Sequence, residues 1–217
     1  MSDLRILIAD DHEVARKGIR SLLETHPGWQ VCGEARDGRE AVALAGQLKP
    51  EVLLLDIGMP NLNGLDAARQ ILTILPDARI MILTVHDSDQ VVREVLAAGA
   101  RGFLLKSDTG RDLLAAVEAL QHRRTFFTSK VAQMMLEGYL RPHHENETSS
   151  PCVLTPRERE VIQLVAEGKS TKEVATALSL SVKTAETHRT NLMRKLDLHS
   201  IADLTLYAVR NGIVHVY

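Results

Sequence analysis

Aromatic residues are scarce in this sequence. Three Phe, three Tyr and one Trp among 217 positions mean that its cores have to be assembled from Leu, Ile, Val and Ala. Cysteine is scarcer still. Cys32 and Cys152 have neither metal-ligand spacing nor the dense pattern of a disulfide framework, so a reducing cytoplasm is the expected compartment. Long apolar runs are also missing. The stretch Val52 to Leu55 is typical of those present and far too short to cross a bilayer, which argues against a membrane partner. The opening MSDLRILIADDHE turns acidic after one short apolar stretch, unlike a secretory signal. No internal repeat is visible. What remains is an ordinary globular composition, 45% apolar and 25% charged, in a length that suits one large domain or two small ones.

The net charge of −2 hides an uneven distribution. Residues 1–130 carry sixteen Lys and Arg against eighteen Asp and Glu, residues 131–151 one against three, and residues 152–217 nine against seven. Within residues 182–196, the basic Lys183, Arg189, Arg194 and Lys195 accompany a single acidic residue, Glu186. A basic segment in an acidic chain suggests nucleic acid, although a solvated helix face has the same composition.

Apolar runs at Leu4–Ala9, Gln30–Ala35, Val52–Leu55, Arg79–Leu83 and Gly102–Leu105 are short and continuous, as in parallel strands covered on both faces. Helical spacing fills the intervals: Ile19, Leu22, Leu23, then Ala41, Leu44, Leu48, then Leu65, Ala68, Leu72. Val91, Val92, Val95 and Leu96 follow, and Leu113, Leu114, Val117 and Leu120 complete the set. These units predict an α/β domain over residues 1–125, a flavodoxin-like (βα)5 fold with parallel strand order 2-1-3-4-5. Residues 126–151 read as a helical extension and linker. SKVAQMMLEGYLR (129–141) has helical spacing, whereas PHHENETSSP (142–151) is polar and aperiodic, with His143 and His144 read as solvated.

From 152 to 217 periodicity returns without a strand candidate. Thr155-Pro156-Arg157-Glu158 combines an N-cap, a Pro at the first helical position and a capping-box Glu, and Gly168 closes that helix. Ser170-Thr171-Lys172-Glu173 opens a second helix running to Leu178. Ser181 caps a third over Val182–Leu196, and a fourth spans about Ser200 to Asn211. Four short helices with a tight turn between the second and third predict an all-α helix-turn-helix domain, its motif at about 171–190.

In open parallel sheets, ligands bind outside the carboxyl ends of the strands. The first strand ends in Asp10-Asp11, the third in Asp56, the fourth in Thr84 and the fifth in Lys106. With the predicted strand order, three carboxylates converge beside a hydroxyl and an ammonium. Each residue alone is unremarkable, since an Asp after a strand is commonly a turn former or cap. Together they make a chemical set. Clustered carboxylates repel unless a divalent cation neutralises them, and oxygen ligands suit Mg²⁺. A carboxylate so shielded can take a phosphoryl group as an aspartyl phosphate, with Lys106 and Thr84 meeting the phosphoryl oxygens.

The blocks ADDHEVARKGIRSLL, LLLDIGMPNLNGLDAA, ILTVHD and AAGARGFLLKSD resemble, in order and spacing, the signatures of bacterial receiver domains. LTPREREVIQLVAEGKSTKEVATALSLSVKTAETHRTNLMRKL resembles LuxR-type helix-turn-helix domains, and the pair is similar to the NarL/FixJ subfamily of two-component response regulators. The resemblance covers nearly the whole chain apart from the linker. It implies Asp56 as phosphoacceptor, with Asp11 and Asp56 as direct Mg²⁺ ligands, Asp10 acting mainly through water and the Gly58 carbonyl completing the shell. It implies Thr84 and Lys106 as switch residues, and Phe103 as an aromatic that changes rotamer on activation, compatible with a core role. Where receivers often have Pro after the lysine, this chain has Ser107, which leaves the Lys106–Ser107 peptide open between cis and trans. A sensor histidine kinase, double-stranded DNA with two-fold related half-sites, and a homodimer when phosphorylated are the implied partners.

The third helix is the one expected to enter the major groove. Val182, Ala185, Leu192 and Leu196 are expected on its apolar face, against Ala175. Lys183, Thr184, Glu186, Thr187, Arg189, Thr190 and Arg194 are expected toward DNA, with Lys172 of the preceding helix near a phosphate. Glu186 and Thr187 sit where LuxR-type domains meet base edges. Glu186 is repelled by phosphate but can accept from cytosine N4, or it can pair with Arg189 or Arg194. Ile201, Leu204, Tyr207 and Ala208 form a dimer interface, cover the core, or both. Two other functions compete. A phosphohydrolase would carry a second Asp two residues after the nucleophile, where this chain has Gly58, so no enzyme in the usual sense is expected. A constitutive DNA binder with a decayed receiver is hard to square with the complete set Asp10, Asp11, Asp56, Thr84 and Lys106.

Overall fold

A computed structural model describes residues 3–85, 88–128, 131–133 and 154–214. The chain divides into two compact units, Met1–Pro142 and His143–Tyr217. In the first unit the strands β1 (Leu4–Ala9), β2 (Trp29–Ala35), β3 (Val52–Asp56), β4 (Arg79–Thr84), β5 (Gly102–Leu105) and β6 (Phe126–Phe127) form one parallel sheet. Their order is β2-β1-β3-β4-β5-β6. The helices α1 (Glu13–Leu23), α2 (Gly38–Leu48), α3 (Gly64–Ile74), α4 (Asp89–Ala97) and α5 (Thr109–Gln121) alternate with the first five strands.

Side chains alternate across a strand, so each strand feeds two layers. Leu7, Ala9, Leu53, Leu55, Ile80, Ile82 and Phe103 pack with residues of α2, α3 and α4. Ile6, Ile8, Val52, Leu54, Met81, Leu83 and Leu104 pack with residues of α1 and α5. All of these strand residues are fully buried, which is why the strands read as unbroken apolar runs rather than as alternating ones.

The five expected strands and their order are present, with two additions. The edge strand β6 pairs with β5 through Gly102–Phe126 and Phe103–Phe127, carrying the sheet past residue 125, and Val131 joins the core under α2 to α4. Two residues are too few to show a strand period. Residues 131–133 are helical, whereas the rest of the helix expected over 129–141 and the linker 142–151 lie outside the described residues. Of the residues that mark the helical spacing of α5, Leu113, Val117 and Leu120 are buried, whereas Leu114 is 36% exposed.

The loop from β3 to α3 is shaped by backbone demands. Asn61 is left-handed (φ 64°) and the Leu62 N–H donates to the Pro60 carbonyl at 2.7 Å, a tight three-residue turn. The Asn61 amide donates to Asp37 Oδ2 at 2.9 Å, tying that turn to the N-cap of α2. Asn63 caps α3 by accepting from the Asp66 N–H at 2.8 Å, and the Gly64 N–H donates to the Ile57 carbonyl at 3.0 Å. Gly64 has no alternative. A Cβ there would collide with the Asp56 carbonyl and lie 3.2 Å from Ile57 Cα, so α3 can start this close to the end of β3 only without a side chain.

The second unit contains α6 (Pro156–Ala166), α7 (Thr171–Ala177), α8 (Val182–Lys195) and α9 (Ile201–Arg210). Both expected capping boxes form, Thr155 with Glu158 and Ser170 with Glu173. Ile162, Leu164, Val174, Ala175, Ala185, Leu192, Leu204 and Ala208 make the core. Two polar clamps lock it: Arg157 donates to the Leu178 carbonyl at 2.6 Å, and Lys195 pairs with Glu158 at 2.7 Å. The turn between α7 and α8 has no glycine, and Ser179 adopts the left-handed conformation there (φ 52°).

Trp29 is the sole tryptophan, is buried on β2 and donates to Gln121 Oε1 at 3.0 Å, so its fluorescence reports the first unit alone. Gly64→Ala is expected to lower the stability of that unit by about 2–3 kcal/mol, because backbone has to move to admit the methyl group. Urea unfolding followed at Trp29 measures it; an unchanged midpoint would contradict the close approach of α3 to β3.

Candidate functional site

Asp10 follows β1, Asp56 ends β3, Thr84 ends β4 and Lys106 follows β5, all at the carboxyl edge of the sheet. Parallel pairing sets Ala9 beside Leu55 and Asp56 beside Leu83, so these groups arrive at one level. The Lys106 ammonium lies 2.7 Å from Asp10 Oδ2 and 3.0 Å from Asp56 Oδ2. Asp10 and Asp56 are 0% and 3% exposed, Thr84 is buried, and Asp11 is partly open to solvent. One ligand atom from each of Asp10, Asp11, His12 and Asp56 falls within 4.8 Å of the others. The structure therefore brings together Asp10, Asp11, Asp56 and Lys106, with Thr84 ending the intervening strand. Gly58 lies in the bend two residues past Asp56. Phe103 is fully buried in the core beneath α2 to α4. No cis peptide occurs among the described residues, so the Lys106–Ser107 bond is trans.

The sequence reading overlooked two residues here. His12 donates its N–H to Asp10 Oδ1 at 2.8 Å and sets its ring Nδ1 2.7 Å from Asp11 Oδ1. Arg16, in the first half of α1, is buried and donates to the Asp10 carbonyl at 2.6 Å. The position of His12 directly after two aspartates was a usable signal. Arg16 gave none, because an arginine at helical spacing reads as solvated.

In the second unit Lys172, Lys183, Thr184, Glu186, Thr187, Thr190 and Arg194 are exposed and Arg189 is half-buried. Ala185 and Leu192 face the core as expected, and Leu196 packs partly against it. Val182 does not. It is 45% exposed, because it is the first residue of α8 and the buried face begins only at Ala185, and this corrects its assignment to the apolar face. Arg189 donates to Thr171 Oγ1 at 3.3 Å and Arg194 to Asn191 Oδ1 at 3.3 Å, so Glu186 pairs with neither and its carboxylate faces solvent. On α9, Leu204 and Ala208 are buried, while Ile201, Leu206 and Val209 are exposed.

Two family models match the chain: the response regulator receiver domain over residues 6–118, and the bacterial regulatory proteins of the luxR family over residues 152–208. The transcriptional regulatory protein LiaR of Bacillus subtilis is 39% identical over 213 residues, covering 98% of this chain and all of LiaR. The chain is a response regulator of the NarL/FixJ subfamily. The oxygen regulatory protein NreC of Staphylococcus carnosus is 35% identical over 215 residues, covering 97% of this regulator and 99% of NreC. The RcsB response regulator of Salmonella typhimurium resembles it with a TM-score of 0.63 at 28% identity, covering 97% of this chain and 99% of that one. A structure of an RcsB–DNA complex matches with a TM-score of 0.59 at 28% identity, covering 97% of this chain and 99% of the RcsB chain. This regulator is thus a phosphorylation-dependent transcription factor of a two-component system, and its relatives are regulators rather than enzymes. No helix among the described residues is long and apolar enough to cross a membrane.

The regulator's acidic pocket has an electrostatic imbalance. Three carboxylates against one ammonium leave two uncompensated negative charges, the amount a divalent cation carries. Asp10 Oδ2, Asp11 Oδ1 and Asp56 Oδ2 are buried without a hydrogen-bond donor in good alignment, although Lys106 and His12 sit close to them. Such oxygens fit a hard cation. Burial pushes the Asp56 carboxyl above its usual range; Lys106 pulls it back, while Asp10 and Asp11 add to the upward push. Burial also works against the Lys106 charge, but Asp56 and Asp10 outweigh it and hold the ammonium above its ordinary value.

A pH-dependent stability effect follows. In Mg²⁺-free buffer at pH 7, Asp56→Asn should stabilise the first unit by roughly 1 kcal/mol, since it removes a charge that burial and two neighbouring carboxylates disfavour. Because the folded Asp56 pKa is raised, protonation stabilises the folded state. The advantage of Asn is therefore present above that raised pKa and vanishes as pH falls through it, where Asp56 is neutral too. Urea midpoints at Trp29 across pH 4–8 decide the matter, and a gain that grew toward acid pH would refute the assignment.

Proposed function

We propose that Asp56 accepts a phosphoryl group from a sensor histidine kinase and that this transfer controls DNA binding through α8. The bridging of Asp10 and Asp56 by Lys106 at the sheet's carboxyl edge, with Asp11 in reach, is the observation that carries the proposal. Asp10, Asp11, Asp56 and the Gly58 carbonyl would hold Mg²⁺, with Asp10 acting mainly through water. When bound, the metal supplies charge neutralisation at the phosphoryl oxygens and lets the three carboxylates remain ionised.

An Asp56 oxygen attacks phosphorus as the bond to the donor's imidazole nitrogen breaks, and the departing nitrogen keeps the electron pair. Lys106 already faces Asp56 and is positioned to neutralise an incoming phosphoryl oxygen. The Thr84 hydroxyl donates to another, and this draws the end of β4 toward the site. Phe103, three residues before Lys106 on the neighbouring strand, responds to that movement by changing rotamer, which alters the surface the receiver presents. The receiver occupies residues 1–125 together with the edge strand β6 and Val131, and the DNA-binding domain residues 152–217.

On DNA, α8 enters the major groove. Lys183, Thr184, Arg189, Thr190 and Arg194, with Lys172 on α7, meet phosphates, whereas Glu186 and Thr187 meet base edges. The unpaired Glu186 carboxylate supports base reading, since phosphate repels it and cytosine N4 is a donor it can accept from. Phosphorylation pairs two chains on two-fold related half-sites, and the exposed Ile201, Leu206 and Val209 of α9 offer apolar area for that pairing.

Acetyl phosphate with Mg²⁺ is expected to add one phosphoryl group to the full chain and none to Asp56→Asn, read by intact mass. The phosphorylated chain should bind a duplex selected from random sequences about tenfold or more tighter than the untreated chain in gel shifts. Equal uptake by the variant, or equal binding by both forms, would sink the reading. A second pair of variants separates positioning from specificity. Lys183→Ala should weaken binding to all duplexes alike and reduce the salt dependence by about one unit of slope. Glu186→Ala should change preference at one base pair by about 1–3 kcal/mol. A uniform loss for Glu186→Ala would remove it from the base-reading set.

A further inference from the structure

Arg16 has no place in the chemistry described so far, yet it is a buried cation, which a fold retains at a cost unless its hydrogen bonds are made. Its side chain is 8% exposed. One guanidinium nitrogen donates to the main-chain carbonyl of Asp10 at 2.6 Å, and Nε lies 3.6 Å from Glu34 Oε2 at the end of β2. Glu34 is itself held from the other side by Arg20, at 2.8 Å from Oε1, and Arg20 also pairs with Glu24 at 2.8 Å. A chain of charges therefore runs from the solvent edge of α1 to the peptide joining Asp10 and Asp11.

That peptide is the point that matters. The Asp10 carbonyl and the Asp11 N–H share one rigid plane, so holding the oxygen fixes the direction in which Asp11 leaves the strand. The Asp10 N–H donates to the Ala35 carbonyl at 3.2 Å, its Oδ1 accepts from His12 and its Oδ2 faces Lys106. Asp11 has no comparable set: its carboxylate is partly exposed and lies against the His12 ring. Besides that ring, the bond from Arg16 to the Asp10 carbonyl is the tie nearest to Asp11 along the chain.

We infer that Arg16, anchored by Glu34, is a positioning residue that aims the Asp11 carboxylate at the cation site beside Asp56. The inference rests on the proposed Mg²⁺ site, and the experiment has to separate the two. Mg²⁺ affinity of the full-length chain is measured by calorimetry for the unaltered protein, Asp11→Ala, Arg16→Met, Arg16→Lys and Glu34→Gln, with urea midpoints at Trp29 alongside. Methionine preserves much of the aliphatic volume and removes the donor, so Arg16→Met should weaken Mg²⁺ binding by roughly 10–100-fold, read where the Trp29 signal shows the unit folded, since leaving the Asp10 carbonyl without its donor also lowers the urea midpoint. Arg16→Lys, which keeps one donor, should recover part of the loss. Glu34→Gln, which loosens the anchor without touching the loop, should weaken binding by a few-fold.

If Asp11→Ala loses Mg²⁺ while Arg16→Met and Glu34→Gln bind within twofold of the unaltered chain, Arg16 is not a positioning residue and the metal site survives. If Asp11→Ala binds normally, the metal site is misplaced and the inference falls with it. Should Arg16→Met fail to fold, Glu34→Gln and Arg16→Lys carry the decision: unaltered affinity in both overturns the inference.

Discussion

The first unit is organised around a charge problem at the carboxyl edge of its sheet. Three carboxylates have oxygens within 4.8 Å of one another, a separation at which each pair repels by about 3.5 kcal/mol even at an effective dielectric constant of 20. Lys106 relieves part of this, but it follows β5, while Asp56 ends β3 and Asp10 follows β1. Neighbouring strands lie about 4.8 Å apart, so the ammonium has to pass over the end of β4 to reach its partners. A short side chain at that end, Thr84, leaves the path open. The strand order, the residue ending β4 and the length of lysine are thus one constraint rather than three.

The remainder of the unit keeps those groups at one level. Two dry aliphatic layers hold the strands in register. Gly64 lets α3 begin against the Asp56 carbonyl, and the Asn61–Asp37 bond straps the left-handed turn between β3 and α3 to α2. At the opposite edge, Arg79 donates to the Leu120 and Gln121 carbonyls at 3.0 and 2.9 Å and to Glu51 at 2.8 Å, which ties the end of α5 to the starts of β3 and β4. Helix ends carry unsatisfied carbonyls, and a buried guanidinium is a suitable partner for them. The polar edge that does chemistry is therefore backed by a polar edge that only holds.

Much of this was legible in the sequence because it rests on pattern. Continuous apolar runs marked the five long strands, and charged or hydroxylated residues at the ends of four of them, two after the first, marked the site. The misreadings arise where pattern says nothing. Phe126–Phe127 is too short for a period, and its strand identity comes from lying beside β5. Val182 falls on the apolar side of a helical wheel, yet it is the first residue of its helix and the buried face begins only at Ala185. Leu114 and Leu113 are adjacent leucines, and only the rotation of α5 decides which one is buried. Glu186 was open between two roles because ion pairing depends on where Arg189 and Arg194 point, and both point elsewhere. The turn before α8 contains no glycine, and Ser179 takes the left-handed conformation there.

The two units handle charge in opposite ways, and their proposed coupling depends on that contrast. On α8 the charged groups stand in solvent, where their attraction for phosphate is long-ranged and sensitive to salt. In the receiver's acidic pocket they are largely buried, and every change in charge there has to be answered locally. A phosphoryl group on Asp56 adds roughly one and a half to two negative charges, as phosphorylation does elsewhere, to a pocket with a single ammonium. Lys106 cannot serve Asp10 and the phosphoryl oxygens equally well. As it turns toward the latter, Asp10 retains its N–H bond from His12 and its carbonyl bond from Arg16, both already made in this state. The demand for a further donor then falls on Thr84, the hydroxyl ending the strand that Lys106 crosses. In the proposed switch the end of β4 is the element that responds, and Phe103, packed on the adjoining strand, is the side chain placed to feel it.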